Sequence, residues 1–199
     1  MNSIQIKNRY YLMRHGESVA NVKGLIVSSP ENALGGFGLT NHGSQQVTQA
    51  ALNTRLDRET IIVSSDYRRA LDTAEIVKSV IDAISPISID SRLRERDFGV
   101  YELQDHEHYQ GVWQHDVSHP DESKNSVESV MDTLARGLGL IASLDQQHQD
   151  KSILLVGHGD VLQMLLAHHH NINPRFHRSL SSIGNADIRS LSKLALHSR

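Results

Sequence analysis

Three short apolar runs along the chain have the character of buried β-strands: Tyr10–Met13, Ile61–Val63 and Ile153–Val156. Each run ends in a polar turn, a pattern typical of strands that are covered on both faces. A segment with helical character follows each of them. This alternation predicts an α/β fold, a three-layer α/β/α sandwich with a mostly parallel central sheet.

Four helices are predicted from apolar positions three and four residues apart and from capping residues. One begins after Thr40 and runs to about Leu56, and another begins after Gly159. Asn125 or Ser126 is the predicted N-cap of a third. The apolar stripes are Ala70, Ala74, Val77, Ile81 and Ile84 in one helix, Val130, Leu134, Leu138 and Ile141 in the next, and Val161, Leu162, Leu165 and Leu166 in the last.

Two polar segments fit neither kind of element. Lys23–Gly38 is rich in Gly and Ser, and we predict a loop at the rim of a site. Glu102–Lys124 contains Pro120, and we predict a small cap inserted at about residues 102–124. The 199 residues suit a single domain, 1–199, that carries this insertion.

Composition excludes several classes of function. The chain has no Cys, which removes disulfides, Cys-ligated zinc and a Cys nucleophile. Its formal net charge of -3 argues against binding nucleic acid through bulk charge, so a phosphate site must be a local cluster of cations. We find no signal-peptide pattern and no run near the ~20 apolar residues that span a bilayer. We therefore expect a cytoplasmic protein without membrane or nucleic-acid partners.

The residue types that follow the three predicted strands are those that bind phosphate. Arg14 and His15 follow the first strand, Arg68 and Arg69 the second, and His158 the third. Ligands of open α/β sheets bind at the carboxyl ends of the strands, so these side chains can converge on one crevice. Guanidinium and imidazole groups suit a dianionic phosphoryl group, whose charge in the transition state spreads over three oxygens.

His15 is the candidate nucleophile, because a neutral imidazole can attack phosphorus and form a phosphohistidine. Gly16 would let the backbone come close to the ligand, since it has no side chain to block the approach. Asn21 follows at a distance that could return its amide to the same pocket.

Six segments of the chain follow one another in the order of a known family. They are Leu12–Ser18 with Asn21, Gly38–Gly43, Ser64–Ala74, Leu93–Gly99, Glu128–Ser129 and Val156–Gly159. Together they span most of the chain, and they resemble the histidine phosphatase superfamily, the phosphoglycerate-mutase-like family.

The resemblance implies a role for each residue of the predicted cluster, and it implies no cofactor and no metal. Arg69 rather than Arg68 matches the family, because Ala70 follows it. The implied roles are His15 as the phosphorylated residue, Arg14, Arg69 and His158 as ligands of the phosphoryl group, Glu95 as proton donor to the leaving group, and Asn21 and Gly159 as further substrate-binding positions.

Glu95 has a chemical reason to be present, because an ester oxygen leaves as an alkoxide unless it is protonated. A carboxylic acid with a raised pKa can donate that proton and then act as base for the water that hydrolyses the phosphoenzyme. Spacing alone equally allows Glu95 to pair with Arg92, Arg94 or Arg96. The resemblance favours catalysis.

The chain departs from the family's pattern at positions that bear on the substrate pocket. Tyr101-Glu102-Leu103 stands where many members have Trp-Glu-Gly, and Val127 stands where many have Gly before Glu128-Ser129. The segment between Asn21 and Leu39 is longer than usual.

Other histidines are interpreted as parts of a solvated cap and a helix end. His106 with His108, and His115 with His119, have spacings that could place two metal ligands together, and His168–His170 form a run. Zinc sites need three or four convergent ligands, and no such set is evident from the sequence. We therefore expect no metal.

We predict a metal-independent phosphomonoesterase that acts on a small phosphate monoester or a phosphoprotein; the sequence leaves its oligomeric state open. One alternative is a phosphoglycerate-mutase-type phosphotransferase, and another is a non-catalytic module that binds a phosphorylated ligand. A mutase must hold a second anionic group, yet no Lys or Arg lies between Arg96 and Lys124, where seven carboxylates occur. The complete catalytic set counts against the non-catalytic module.

Overall fold

Within residues 6–191, which the computed structural model describes, five strands form one sheet in the order β3-β2-β4-β1-β5. The first four strands are parallel, and β5 is antiparallel to β1 at the edge. The strands are β1 (Arg9–Arg14), β2 (Ile61–Ser64), β3 (Ser88–Ile89), β4 (Ser152–Gly157) and β5 (Ile188–Ser190). The predicted α/β fold with a mostly parallel sheet is therefore confirmed.

Helices cover both faces of this sheet. They are α1 (Val19–Lys23), α2 (Pro30–Ala33), α3 (Asn41–Leu52), α4 (Arg68–Val80), α5 (His108–Ser118), α6 (Val130–Gln147) and α7 (Gly159–His169). Alternate strand residues point to opposite faces, so Leu155 packs with α6 and α7, whereas Leu154 and Val156 pack with α3 and α4. None of these helices is both long and apolar enough to cross a membrane.

Two of the predicted helices end earlier than expected. Thr40 caps α3 as predicted, since its Oγ1 accepts a hydrogen bond from the Gly43 N–H at 2.9 Å, but the helix ends at Leu52. The α4 stripe is buried at Ala70, Ala74 and Val77, whereas Ile84 lies beyond the helix and is exposed.

The N-cap predicted for α6 is wrong. Asn125 and Ser126 have positive φ angles of 55° and 58° and belong to a turn before the helix. The N-cap is Ser129, whose Oγ accepts a hydrogen bond from the Asp132 N–H at 3.0 Å. A left-handed turn therefore separates the predicted cap from the helix.

The predicted loop Lys23–Gly38 is more ordered than its composition suggests. It contains α2, and Ile26 and Val27 are buried. The Glu102 carboxylate accepts hydrogen bonds from the Ser28 N–H at 2.7 Å and from other donors of the same segment. One half-buried acid thus accepts hydrogen bonds from several polar groups of a tightly folded segment.

The predicted insertion at about 102–124 contains α5 and its flanking turns. Val112 of α5 packs against Ile26, Phe98 and Val127 in a small apolar cluster. This packing places α5 beside the Lys23–Gly38 segment, near the carboxyl ends of the strands.

Candidate active site

The three strand ends bring the predicted phosphate-binding residues together. His15 follows β1, Arg69 lies in the first turn of α4 after β2, and His158 follows β4. All three side chains are buried. Arg69 Nε lies 3.1 Å from His15 Nε2, and the two imidazole centroids are 5.2 Å apart.

Hydrogen bonds fix which nitrogen of His15 is free to react. Its Nδ1 lies 2.7 Å from the Gly16 carbonyl oxygen, which can only accept, so Nδ1 carries the proton. Arg69 Nε donates to Nε2, which must therefore present its lone pair. Burial, with the charges of Arg69 and Arg14, holds the pKa of His15 well below its ordinary value. The ring is therefore neutral at neutral pH, with a nucleophilic Nε2.

His158 is arranged to donate rather than to attack. Its Nε2 lies 2.9 Å from Ser65 Oγ, which also accepts a hydrogen bond from the Tyr67 N–H. The Ser65 hydroxyl can therefore donate a hydrogen bond to Nε2, and in that arrangement the imidazole carries its own proton on Nδ1. Burial, followed by the charge of Arg69, lowers the pKa of His158 well below its ordinary value, so this ring too is neutral.

Three buried nitrogens around His15 have no hydrogen-bond partner among the described residues: Arg14 Nε, Arg69 Nη1 and His158 Nδ1. Each arginine is held by a different carbonyl, because Arg14 Nη1 donates to Ile183 O at 3.0 Å and Arg69 Nη2 donates to Val27 O at 2.8 Å. Unsatisfied buried donors are costly, so their grouping indicates a place where an anionic ligand supplies the acceptors.

Arg68 lies outside this cluster. It is exposed and forms an ion pair with Asp72 at 2.7 Å, one helical turn along α4. Adjacent helix residues point about 100° apart, so the neighbouring Arg69 faces inward.

Glu95 reaches the cluster from the segment after β3, and its two oxygens have different surroundings. Oε1 accepts hydrogen bonds from the Arg96 N–H at 2.9 Å and the Asp160 N–H at 3.2 Å. Oε2 accepts none from the described residues and lies 3.6 Å from the place where a Cβ on Gly159 would stand. Burial, reinforced by the nearby Asp160 carboxylate, raises the pKa of Glu95. Oε2 is thus the oxygen that can carry a proton toward a ligand.

The alternative ion pairs for Glu95 are not formed. Each of the three neighbouring arginines is bound to another carboxylate. These pairs are Arg92 with Asp90, Arg94 with Asp66 and Arg96 with Asp116, at 2.7, 2.6 and 2.7 Å. Glu95 therefore remains available to the site.

The opposite pKa shifts predict a bell-shaped pH dependence of kcat/KM. His15 must be neutral to attack, and its lowered pKa moves the acid limb below the ordinary value of 6.5. Glu95 must be protonated to donate, and its raised pKa moves the alkaline limb above the ordinary 4.5. The measurement is the pH profile for an alkyl phosphate, in which Glu95→Gln should remove the alkaline limb. A limb that persists in this variant would show that another group sets it.

Asn21 and Gly159 both border the cavity next to the cluster. Asn21 Oδ1 accepts hydrogen bonds from the Ser18 N–H at 3.0 Å and from Asn185 Nδ2 at 3.2 Å, which leaves its own amide NH2 available. Gly159 begins α7, whose N-terminal dipole favours an anion nearby. A side chain at Gly159 would enter the space between Glu95 and Arg14.

Close packing requires a glycine at position 16. A Cβ at this position would lie 2.6 Å from the Gly43 carbonyl oxygen and 2.7 Å from Val47. The strand end therefore packs against α3 too closely for any side chain here, and the approach of the backbone to a ligand stays a prediction.

The cavity beside the cluster has a volume of about 370 Å³ and includes residues that the sequence did not reveal. Tyr109 and Trp113 of α5 line it with their rings stacked at 5.3 Å, and Arg178 lies over Trp113 at 3.8 Å. Asp160 accepts a hydrogen bond from Trp113 Nε1 at 3.0 Å. These residues carry no local motif, because they meet only when α5 folds against the first turn of α7 and against the segment that contains Arg178.

Comparison with known proteins agrees with this geometry. The family model of the histidine phosphatase superfamily (branch 1) matches residues 10–194 of the chain. The chain is 32% identical over 163 residues to a probable phosphoglycerate mutase GpmB of Salmonella paratyphi C, covering 79% of this chain and 72% of that protein. It is 28% identical over 173 residues to a glucosyl-3-phosphoglycerate phosphatase of Mycolicibacterium vanbaalenii, covering 80% and 72%.

A solved structure of a mycobacterial glucosyl-3-phosphoglycerate phosphatase in complex with VO3 is also similar. It has a TM-score of 0.76 and 26% sequence identity, and the match covers 92% of this chain and 91% of that one.

Proposed function

Because the chain belongs to the histidine phosphatase superfamily, whose members are phosphatases or mutases, we propose that it is a phosphomonoesterase that forms a phosphohistidine on His15. The observation that carries this proposal is the set of unpartnered buried donors around a neutral His15. Three oxygens of a phosphoryl group can accept from Arg14, Arg69 and His158 while phosphorus faces His15 Nε2.

In the first step, the Nε2 lone pair attacks phosphorus, and the bond between phosphorus and the ester oxygen breaks. Arg69 Nε–H turns from Nε2 to a phosphoryl oxygen as the new bond forms. The proton on Glu95 passes to the departing alkoxide, so an alcohol leaves. In the second step, the Glu95 carboxylate takes a proton from water, the resulting hydroxide attacks phosphorus, and the bond from phosphorus to His15 breaks to release phosphate.

Charge in the cavity beyond the phosphoryl cluster supports hydrolysis over mutase chemistry. Glu107 and Asp160 line this space, and the charge of Arg178 is directed to Asp160, 3.8 Å away. Two nearby cations are engaged elsewhere: Arg68 pairs with Asp72 and Arg94 with Asp66. A second anionic group would therefore meet carboxylates rather than a cationic cluster.

One observation favours the mutase as a second candidate. Arg178 lies on the cavity wall, beyond the cluster, and could turn from Asp160 to a substrate carboxylate. The similarity to a probable phosphoglycerate mutase points the same way.

The two candidates differ in the fate of the phosphoryl group. We expect 3-phosphoglycerate, with or without 2,3-bisphosphoglycerate, to give free phosphate or no reaction, and no 2-phosphoglycerate. Glucosyl-3-phosphoglycerate and phosphopeptides belong in the same panel, to separate small esters from phosphoproteins as substrates. Rapid isomerisation with little phosphate release would refute the hydrolase proposal, and no turnover of any ester would favour the non-catalytic module.

Chelation is expected to leave turnover unchanged. The guanidinium groups of Arg14 and Arg69 supply the positive charge that Mg²⁺ supplies in other phosphoryl-transfer sites, and the neutral His158 adds a hydrogen-bond donor. The measurement is kcat before and after exhaustive treatment with a chelator, followed by addition of divalent cations. Loss of activity on chelation without any change in Tm, and its rescue by one cation, would contradict the proposed mechanism.

A further inference from the structure

The end of α5 carries three side chains that can bind a metal and that do not line the cavity beside His15. His115 lies on the last turn of the helix, His119 follows directly after it, and Glu122 lies three residues further along. One ligand atom from each of them lies within 4.8 Å of the other two.

The backbone explains why these side chains meet. Residues four apart on a helix share a face, so His115 and His119 stack with ring centroids 4.6 Å apart. The chain then turns, and the Glu122 N–H donates to the His119 carbonyl at 3.2 Å. This turn returns the Glu122 carboxylate to the helix end and supplies the third ligand that spacing alone did not indicate.

The separations suit zinc. Two ligands bound tetrahedrally to Zn²⁺ at ~2.0–2.1 Å stand about 3.4 Å apart. His115 Nε2 and Glu122 Oε2 are already 3.5 Å apart, and small rotations of the partly exposed side chains would direct His119 to the same point.

The charges beside the cluster nearly cancel, so they do not oppose a cation. Arg96, which lines the small cavity beside His115, is neutralised by two hydrogen bonds to Asp116 at 2.7 Å. Lys124 is then the remaining cation beside the cluster, among the described residues of that cavity.

We propose that His115, His119 and Glu122 form a divalent-metal site of the Zn²⁺ type, with water in the fourth position. The ion would join the last turn of α5 to the turn that follows it. Since α5 also presents Tyr109 and Trp113 to the cavity, the site would stabilise the wall of the active site without taking part in its chemistry. A ligand that binds only the folded state raises Tm.

The test is titration of the full chain, purified without a polyhistidine tag, with Zn²⁺. Calorimetry should show one equivalent bound, and Tm should rise with zinc. His119→Ala and Glu122→Gln should each weaken binding by more than the roughly 10–100-fold that loss of a second-shell partner costs. Both variants should also lose the rise in Tm. The matched control is the double variant His168→Ala/His170→Ala, which alters the other histidine run and should bind as the parent does.

Melting curves without metal check that each variant folds. If His119→Ala is unstable, zinc binding by the near-isosteric Glu122→Gln variant tests the proposal instead. Absence of zinc binding by the parent protein would overturn the proposal. So would loss of binding in the His168/His170 control with retention in the other two variants. If Glu122→Gln lowers the metal-free Tm and zinc changes nothing, the three residues form only a hydrogen-bonded surface cluster.

Discussion

Alanine at position 15 is expected to remove phosphatase turnover and to prevent formation of any phosphoenzyme. His15 Nε2 is the proposed nucleophile, and the hydrogen bonds from Arg69 and to Gly16 leave its lone pair facing the site. The donors around it would still bind a phosphate ester, but no group would remain to accept the phosphoryl group. Loss of a catalytic nucleophile elsewhere has cost about 10⁶-fold in kcat, and we expect a loss on the order of 10⁴–10⁶-fold here.

The phosphoenzyme can be trapped by rapid denaturation with a labelled substrate. The label should be stable in base and labile in acid, as expected for phosphohistidine, and it should be absent from His15→Ala. The matched control is His42→Ala, which removes an exposed histidine of α3. Label on Ser or Asp, or undiminished label in His15→Ala, would show that a different residue is the nucleophile.

The arrangement of the phosphate cluster could be predicted because its information is local. Each of the strands β1, β2 and β4 is a short apolar run. The predicted phosphate-binding residues lie at the end of these strands or within a few positions after them: Arg14, His15, Arg69 and His158. Parallel pairing then brings the strand ends together, as the register of Arg14 opposite Gly157 shows. The choice of Arg69 over Arg68 came from the family resemblance, since the geometry of one helix implies only that one of the two side chains faces inward.

The residues that sequence reasoning missed depend on contacts between distant segments. Asp160 accepts from Trp113, 47 residues away, and Arg178 reaches the same ring from beyond α7. Glu102 orders the Lys23–Gly38 segment through hydrogen bonds to positions more than 70 residues earlier, such as Ser28. No periodicity or short motif indicates such partners, so the cluster around His15 was predicted and the cavity beside it was not.

The two carboxylate oxygens of Glu95 have different surroundings, so the effect of replacing Glu95 with glutamine can be assigned to one of them. A glutamine keeps a carbonyl oxygen where Oε1 accepts from the Arg96 and Asp160 N–H groups, so the side chain should stay in place. It cannot release a proton to a leaving group or accept one from water. Glu107→Gln is a matched control, because Glu107 is another carboxylate that lines the cavity.

Glu95→Gln is expected to slow alkyl phosphates far more than nitrophenyl phosphate. An alkoxide needs a proton as it departs, and general acid catalysis is worth roughly 10²–10⁴-fold, whereas nitrophenolate leaves readily without one. The measurement is kcat/KM for both esters in the parent, Glu95→Gln and Glu107→Gln proteins. Since Glu95 is also the proposed base for water, nitrophenol should appear in a burst as the phosphoenzyme accumulates in Glu95→Gln. Equal losses on both esters, or the same pattern in Glu107→Gln, would show that Glu95 is not the acid.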